Sequence, residues 1–308
     1  MSGVKIIKIT PEDDGIRLNR WFLREYPSLS LSRLQKLLRT KQIKVDGKKA
    51  ETSTRLVSGQ ELRIPPLDNE KAQKSEDFIS KNDADFIKSL VIYKDDNIIA
   101  INKPSGLAVQ GGTNTFKHID GLLEALKFEN NEKPKLVHRI DKDTSGILLL
   151  ARNRKFADIL TKAFREHTLQ KTYLALVRGC PDKFEGVINL ALEKSGERMM
   201  VVKGGQKAIT EYKVLDNAAK KYALIEAKPL TGRTHQIRVH LEAMGTPILG
   251  DDKYFGSNRL RLNEIADKLY LHSYKIDLSD IYGKKMIIKA DLPKHFAEAC
   301  KFFGLEVN

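Results

Sequence analysis

A short polar run, Val137 to Gly146, concentrates side chains that could do chemistry. It contains His138, Arg139 and Asp141, and an apolar strand follows it directly. A carboxylate in a turn before a buried strand lies at the edge of a cleft, and loops on rigid strands often carry function. Asp141 is therefore a candidate catalytic group. From the residues alone, Asp141 could instead have a purely structural role, either pairing with Arg139 or capping the turn.

The second candidate segment runs from Lys228 to His240. Its spacing predicts that a helix begins at Thr234, which would act as the cap, directly after Arg233. An arginine at a helix N-terminus lies where amide groups and the helix dipole favour anions. His235 and Arg238 are one turn apart and can share a face of that helix.

Regular elements must position both segments. Hydrophobic periodicity predicts strands over residues 98–103, 147–152 and 172–177, a hairpin over 208–216 and 222–228, and helices over 119–128, 154–167 and 234–244. Strands outnumber helices and come in hairpins. We therefore expect an α+β fold with a mainly antiparallel mixed sheet.

The N-terminal part carries an unusual concentration of positive charge. Ten basic and two acidic residues lie between Arg17 and Lys49, a net charge of +8 out of +14 for the whole chain. A local basic cluster of this kind is typical of nucleic-acid binding. The candidate RNA contacts are Arg33, Lys36, Arg39, Lys41 and Lys44.

The pattern in this basic part is two helices followed by a hairpin. Apolar residues recur at helical spacing before Pro27 and again after Ser30, which can cap the second helix. Asp46-Gly47 is a strong turn signal, and a closing strand ends at Pro65. Residues 16–64 resemble the S4-type RNA-binding domain. The resemblance implies double-stranded or junction RNA as a ligand.

The chain length of 308 residues suggests about two domains. We expect an S4-like domain over residues 1–65, a polar linker over 66–84 and a larger domain over 85–308. The two cysteines, Cys180 and Cys300, are far apart, which argues against a disulfide framework or a zinc site. No run approaches the ~18 apolar residues of a membrane span. We expect a cytoplasmic monomer with no membrane partner.

The larger domain resembles the RluA family of pseudouridine synthases. The resemblance rests on short motifs that occur in the family's order and cover most of residues 90–275. They are Lys103-Pro104-Ser105-Gly106, His138-Arg139-Ile140-Asp141 with Thr144-Ser145-Gly146, Lys171-Thr172-Tyr173, Leu230 to Arg238, Gly250-Asp251 with Tyr254 and Gly256, and Leu271-His272. The departure in the central motif is Ile140, where the family has leucine.

The resemblance implies a catalytic domain of pseudouridine synthase type, which needs no cofactor and no metal. The reaction breaks the N1–C1′ bond of uridine, rotates the base and joins C5 to C1′. With the S4-like domain in front, the chain looks most like the RluC/RluD branch. That branch modifies large-subunit ribosomal RNA, and the RNA itself or an assembly intermediate of the subunit would be the partner.

The resemblance also implies roles for the site residues. Asp141 would be the essential carboxylate, acting either as a nucleophile at C1′ or as a base at C2′. Arg233 would lie against it and keep it ionised. Tyr173 would stack on the uracil and assist removal of the C5 proton. Apolar contact with the base would come from Ile237 or Leu271.

The target uridine lies in folded RNA and must be flipped out of its stack. The resemblance makes Arg139 the residue that fills the vacated space. His138 could position the loop, contact RNA or serve as a satisfied core histidine. Arg238 and His235 could support either an RNA phosphate or the fold.

Other functions remain open from the sequence. A pseudouridine synthase acting on transfer RNA or on the small subunit would carry the same motifs. A non-catalytic RNA-binding protein of ribosome assembly could retain the scaffold, although it would be free to lose Asp141, Tyr173 and Arg233. A hydrolase using Asp141 with His235 or His240 on a metal is disfavoured, because the two histidines do not have the i, i+4 spacing of helical metal ligands.

Overall fold

A computed structural model describes residues 4–26, 29–67, 79–111, 117–130, 132–255 and 262–307. The chain divides into two compact units, residues 1–78 and 79–308. Of the predicted linker, residues 68–78 lie outside the described residues, and so do Pro27 and Gly256. The remainder of the predicted linker includes the start of a helix at Lys81.

The N-terminal unit is a small α+β structure. Its elements are β1 (Lys5–Lys8), α1 (Leu18–Glu25), α2 (Leu31–Arg39), β2 (Lys44–Val45), β3 (Lys48–Lys49) and β4 (Glu61–Ile64). The antiparallel sheet has the order β1-β4-β2-β3. Strand β1 was not predicted, because it alternates poorly and forms only by pairing with the distant β4.

Helix α2 has two distinct faces. The Ser30 hydroxyl caps it by accepting a hydrogen bond from the Arg33 backbone N–H at 3.2 Å. Leu34 and Leu38 are buried in the core of this unit, while the basic side chains of the helix are exposed. Of the basic residues predicted to contact RNA, Lys44 is half-buried and the others are exposed, namely Arg33, Lys36, Arg39 and Lys41.

The second unit contains twelve strands and six helices among its described residues. The strands are β5 (Val91–Lys94), β6 (Ile98–Lys103), β7 (Lys135–Leu136), β8 (Ser145–Ala151), β9 (Gln170–Arg178), β10 (Glu185–Asn189), β11 (Leu192–Ser195), β12 (Arg198–Val201), β13 (Ile209–Ala218), β14 (Tyr222–Pro229), β15 (Leu271–Asp277) and β16 (Ile287–Lys289). The helices are α3 (Lys81–Ser89), α4 (Ile119–Leu122), α5 (Arg154–Glu166), α6 (Gln236–Ala243), α7 (Ser279–Tyr282) and α8 (Lys294–Phe303).

The main sheet has the order β10-β13-β14-β9-β15-β8-β6-β5, with β16 beside β15 and β7 beside β8. All its pairings are antiparallel except that of β8 with β15, which is parallel. The predicted α+β class with a mainly antiparallel mixed sheet is confirmed. The short strands β11 and β12 form a separate hairpin.

Strand β8 lies at the centre of this unit, and every one of its residues is buried. Ile147 and Leu149 pack on one face of the sheet with Leu160 of α5. Leu148 and Leu150 pack on the other face. Because side chains alternate across a strand, burial of both faces explains the continuous apolar run in the sequence. The strand therefore provides a rigid base for the loop that precedes it.

Two helix predictions need correction. The helix predicted over residues 119–128 is α4 followed by a 3₁₀ turn at Leu123–Leu126. Helix α6 begins at Gln236 rather than at Thr234, and the residue before it is His235, in the left-handed region at φ 52°. No helix in the described ranges has the length and apolar character needed to cross a membrane.

Candidate active site

The loop between β7 and β8 carries Asp141, and a buried lysine fixes it. Lys103 is fully buried, and its Nζ donates to the carbonyl oxygens of Pro104, Leu107 and Lys142 at 2.9, 2.9 and 2.7 Å. Burial lowers the pKa of Lys103 to about 7, against the opposing effect of nearby carboxylates. Lys103 thereby ties the end of β6 to the backbone directly after Asp141.

His138 packs into the structure at the other end of the same loop. Its Nε2 accepts a hydrogen bond of 2.8 Å from the Leu149 backbone N–H, and its ring stacks on Phe164 at 4.0 Å between centroids. Burial lowers its pKa to about 3, with a further contribution from the charge of Lys171. The ring is therefore neutral. This geometry favours the positioning role for His138 over the predicted RNA contact.

Arg238 is the cation that contacts Asp141. Its Nη1 lies 3.2 Å from Asp141 Oδ2. Its Nε and Nη2 donate to the two carboxylate oxygens of Asp251 at 2.7 and 2.8 Å. Burial lowers the pKa of Arg238, but the carboxylates of Asp251 and Asp141 outweigh this and raise the pKa above its ordinary value. The buried guanidinium thus bridges Asp141 to a second, fully buried carboxylate.

The prediction that Arg233 lies against Asp141 is therefore wrong. Its Nε donates to the Lys207 carbonyl oxygen at 3.1 Å and its Nη1 to Gln206 Oε1 at 3.0 Å. The physical reason is the later start of α6. The Gln236 side chain accepts the Arg233 backbone N–H at 3.1 Å, which keeps Arg233 in the turn before the helix.

His235 also faces Asp141. Its Nε2 lies 3.7 Å from Asp141 Oδ2, and its Nδ1 lies 2.7 Å from the Tyr254 hydroxyl. That hydroxyl accepts the Met199 backbone N–H at 3.0 Å, so its own proton is available to His235 Nδ1. Burial lowers the pKa of His235, although Asp141 opposes this. His235 and Arg238 do share a face, as their spacing predicted.

Two cavities meet at Asp141. The first, which we call the Tyr173 cavity, measures about 490 Å³ and includes Tyr173, Ile237 and Leu271 in its lining. The second, the Lys142 cavity, measures about 690 Å³ and includes Lys142. Asp141 lines both cavities, as do Arg139, His235 and Arg238. A substrate in either cavity reaches the same carboxylate.

The wall of the Tyr173 cavity suits a planar base. Tyr173 is half-buried on β9, and burial raises its pKa to about 12, which keeps the phenol protonated. Ile237 and Leu271 are buried and present apolar surface to the same space. The structure therefore brings together the predicted catalytic residues Asp141 and Tyr173 and both predicted base contacts.

Arg139 is exposed and lines both cavities beside Asp141. A planar, charged guanidinium there can stack on bases and contact phosphate. His240, in contrast, lies within hydrogen-bonding distance of Thr210 Oγ1 and the Leu190 carbonyl oxygen, at 2.9 and 3.1 Å. Because both ring nitrogens have these partners, His240 lies outside the site and does not support a metal-dependent hydrolase.

Sequence reasoning missed the roles of Lys103 and Asp251, although both belong to the motifs quoted above. Asp251 follows Gly250 in a turn, which gives no signal of its partner. Only the fold brings Asp251 to Arg238, because these residues come from different elements.

A family model described as RNA pseudouridylate synthase matches residues 97–243. The "Ribosomal large subunit pseudouridine synthase C" of Rickettsia bellii is 40% identical over 293 residues, which cover 91% of this chain and 95% of the relative. The chain belongs to the RNA pseudouridine synthase family. Its reaction is therefore the isomerisation of uridine to pseudouridine in RNA.

Two further pseudouridine synthases extend the comparison. "RNA pseudouridine synthase 4, mitochondrial" of Arabidopsis thaliana is 39% identical, with 96% of this chain and 78% of the relative covered. The solved structure of "Human RNA Pseudouridylate Synthase Domain Containing 4" superposes with a TM-score of 0.62 at 28% identity. That superposition covers 73% of this chain and 98% of the human chain.

Pseudouridine synthesis sets requirements that this site can meet. The glycosidic bond must be broken beside an ionised carboxylate, and the detached uracil must turn while it stays bound. Asp141 is held by a cation at the boundary of a cavity with one aromatic wall. Among the described residues, Asp141 supplies the only carboxylate of the Tyr173 cavity. That cavity thus differs from the paired carboxylates of glycoside hydrolases.

Proposed function

We propose that this chain converts specific uridines of large-subunit ribosomal RNA into pseudouridine, with Asp141 as the catalytic carboxylate. The observation that carries the proposal is the position of Asp141 between two cavities, held by Arg238. The target RNA is supported by the curated relatives, several of which carry the name of a large-subunit enzyme.

Asp141 acts on the ribose of the target uridine, either at C1′ as a nucleophile or at the proton on C2′. Arg238 orients the carboxylate through a charge-assisted hydrogen bond of 3.2 Å. Support comes from the short contact between them and from the second anchor that Asp251 gives to the guanidinium. Arg238 therefore takes the role first expected of Arg233.

The uracil binds in the Tyr173 cavity. The phenol ring stacks on the base, and its protonated hydroxyl is available when the C5 proton is removed. Ile237 and Leu271 exclude water from the other sides of the base. Arg139 enters the space that the flipped nucleotide leaves, because a flat cation can take the place of a base in a stack.

The N-terminal unit acts as an S4-like RNA-binding domain. Its exposed basic residues supply contacts to phosphate that do not depend on sequence. We place the S4-like domain at residues 1–65 and begin the catalytic domain at residue 79 rather than at 85, because α3 (Lys81–Ser89) belongs to the second unit. The enzyme works as a cytoplasmic monomer on the RNA or on an assembling subunit, and it needs no membrane.

The test is a pseudouridine map of ribosomal RNA from cells that lack this protein. The deletion strain is complemented with the wild type, with Asp141→Asn or with Asp158→Asn. Asp141→Asn is nearly isosteric and removes the charge. Asp158 is an exposed acid on α5 outside both cavities, so its variant is the matched control.

Large-subunit sites that vanish in the deletion should return with the wild type and with Asp158→Asn only. Return of the sites with Asp141→Asn would refute the catalytic assignment. If no large-subunit site changed but transfer-RNA sites did, the proposed target would be wrong and the chemistry would stand.

A further inference from the structure

The Tyr173 cavity holds more positive charge than catalysis at Asp141 requires. Among the described residues that line it, Asp141 is the only carboxylate, and Arg238 already pairs with it. Four further basic side chains share the cavity. They are Arg139, Arg165, Lys171 and Arg233, of which Arg165 pairs with Glu166 at 3.5 Å. A surplus of cations around a partly enclosed space favours an anionic ligand.

Lys171 is the most informative of these residues. It is half-buried, and the described part of the chain gives its ammonium group neither a hydrogen bond nor an ion pair. A charged group that is partly withdrawn from water without a protein partner costs folding free energy. Burial accordingly lowers the pKa of Lys171. An anion from the substrate would supply the missing partner.

The backbone positions Lys171 at a useful distance from the base. Lys171 and Tyr173 are alternate residues of β9, so their side chains leave the same face of the sheet. Alternate residues of a strand are about 7 Å apart. That spacing is on the scale of the separation between the base and the phosphate of one nucleotide. A uracil on Tyr173 therefore brings its own backbone toward Lys171.

His167 and Arg233 complete this part of the wall. His167 ends α5 in the left-handed region at φ 58°, and its Nδ1 is buried with no hydrogen-bond partner. Its Cε1 would lie only 3.0 Å from a Cβ at Gly232, so the ring packs against the turn that carries Arg233. Burial first, and then the charges of Lys171 and Arg233, lower the pKa of His167.

We propose that Lys171, with His167 and Arg233, forms a phosphate-binding site for a backbone phosphate that flanks the target uridine. The site rests on the proposed function, because it requires the uracil in the Tyr173 cavity. It would hold the flipped nucleotide by its backbone while the detached base turns. Arg233 thereby contributes to RNA binding rather than to the orientation of Asp141.

The test combines a protein variant with a substrate lacking one charge. The probe is a short RNA that contains a mapped target uridine, with either its 5′ or its 3′ phosphate replaced by a neutral methylphosphonate. The protein variants are Lys171→Met, Lys171→Arg and the control Lys162→Met. Lys162 is an exposed lysine of α5 that does not line the cavity. The readouts are kcat, KM and the salt dependence of binding.

We expect Lys171→Met to lower kcat/KM on the unmodified RNA by roughly 10- to 100-fold, the usual cost of a lost charged hydrogen bond. One of the two methylphosphonate RNAs should lower kcat/KM of the wild type by a similar factor. The same RNA should leave kcat/KM of Lys171→Met almost unchanged. Lys171→Arg should retain most activity, and Lys162→Met should lose little on any RNA. The melting temperature of Lys171→Met should be equal or higher, because an uncompensated buried charge is gone.

The phosphate site would be overturned if, at both positions, the methylphosphonate lowered kcat/KM by the same factor for the wild type and for Lys171→Met. Full activity of Lys171→Met on the unmodified RNA would overturn it as well. Failure of the proposed function is distinguishable, because the wild type would then form no pseudouridine in the unmodified RNA.

Discussion

Arg238 and Asp251 form a two-point ion pair, with Nε to Oδ2 at 2.7 Å and Nη2 to Oδ1 at 2.8 Å. The pairing uses one edge of the guanidinium and leaves Nη1 directed at Asp141. A planar cation held along one edge has a fixed orientation, which a lysine could not reproduce. Asp141 is thus positioned through a second, fully buried acid on the far side of the guanidinium.

The first prediction separates the two arginines of the 230–238 motif. Arg238→Lys should lower the single-turnover rate constant by about 100-fold or more, since an ammonium cannot bridge both carboxylates. Arg233→Lys should mainly raise KM, because Arg233 lies away from Asp141. Single-turnover kinetics at saturating enzyme measure both. Equal rate losses in the two variants would contradict the assignment.

The second prediction concerns Asp251 itself. Asp251→Asn keeps the shape of the side chain but weakens its hold on Arg238. We expect kcat to fall by about 10- to 100-fold with little change in KM, because a misplaced catalytic group costs rate rather than binding. Asp216→Asn is the control, since Asp216 also accepts backbone N–H groups but lies outside both cavities. A larger effect on KM than on kcat would be the contrary result.

A polar run before a fully apolar strand is a local pattern, so the sequence was sufficient to mark Asp141 as a candidate, and the family motif did the same for Tyr173. The structure brings both residues to the Tyr173 cavity, and their catalytic roles stay predictions. The sequence did not predict the position of Arg233 correctly, because the start of α6 depends on local geometry. The Gln236 side chain caps the turn and His235 takes a left-handed conformation, and neither follows from periodicity.

Long-range pairing was the other part that periodicity could not supply. The parallel contact of β8 with β15 joins residues more than a hundred positions apart in the sequence. The hydrogen bond between Lys103 and the Lys142 carbonyl oxygen, which fixes the loop that carries Asp141, joins residues 39 positions apart. Hydrophobic patterns define which face of an element is buried, but they do not specify its neighbour.

The third prediction follows from the close approach of β8 and β15. Gly146 has φ 104°, and a Cβ there would lie 2.2 Å from the Ser273 carbonyl oxygen. Gly146→Ala should therefore destabilise the protein by about 3 kcal/mol or more, because the backbone of either strand must move. The measurement is the free energy of unfolding in denaturant.

Gly196→Ala is the matched control for this variant. Gly196 also has a positive φ, at 57°, but a Cβ there meets nothing within 4 Å. It should cost only about 1 kcal/mol, the usual penalty for a side chain in the left-handed region. Similar losses in the two variants would mean that the backbone conformation, rather than the contact with Ser273, requires glycine at residue 146.

The fourth prediction concerns His272, which is fully buried beside the catalytic loop. Its Nε2 lies 3.1 Å from the Ala290 carbonyl oxygen, to which it must donate, and its Nδ1 lies 2.9 Å from the Ser145 hydroxyl. This arrangement fixes the neutral tautomer. Burial lowers the pKa of His272 to about 4, with the carbonyl of Ala290 opposing the change.

Below its unfolded pKa of about 6.5, His272 takes up a proton more readily in the unfolded chain than in the native protein. The free energy of unfolding therefore decreases as the pH falls from the unfolded pKa toward about 4. From about pH 7.5 to about pH 5 this group alone should remove about 2 kcal/mol. His272→Gln lacks the titration, so its unfolding free energy should lose correspondingly less over that interval, although it starts lower at neutral pH. Parallel pH profiles for the wild type and His272→Gln would show that His272 is not held neutral in the native protein.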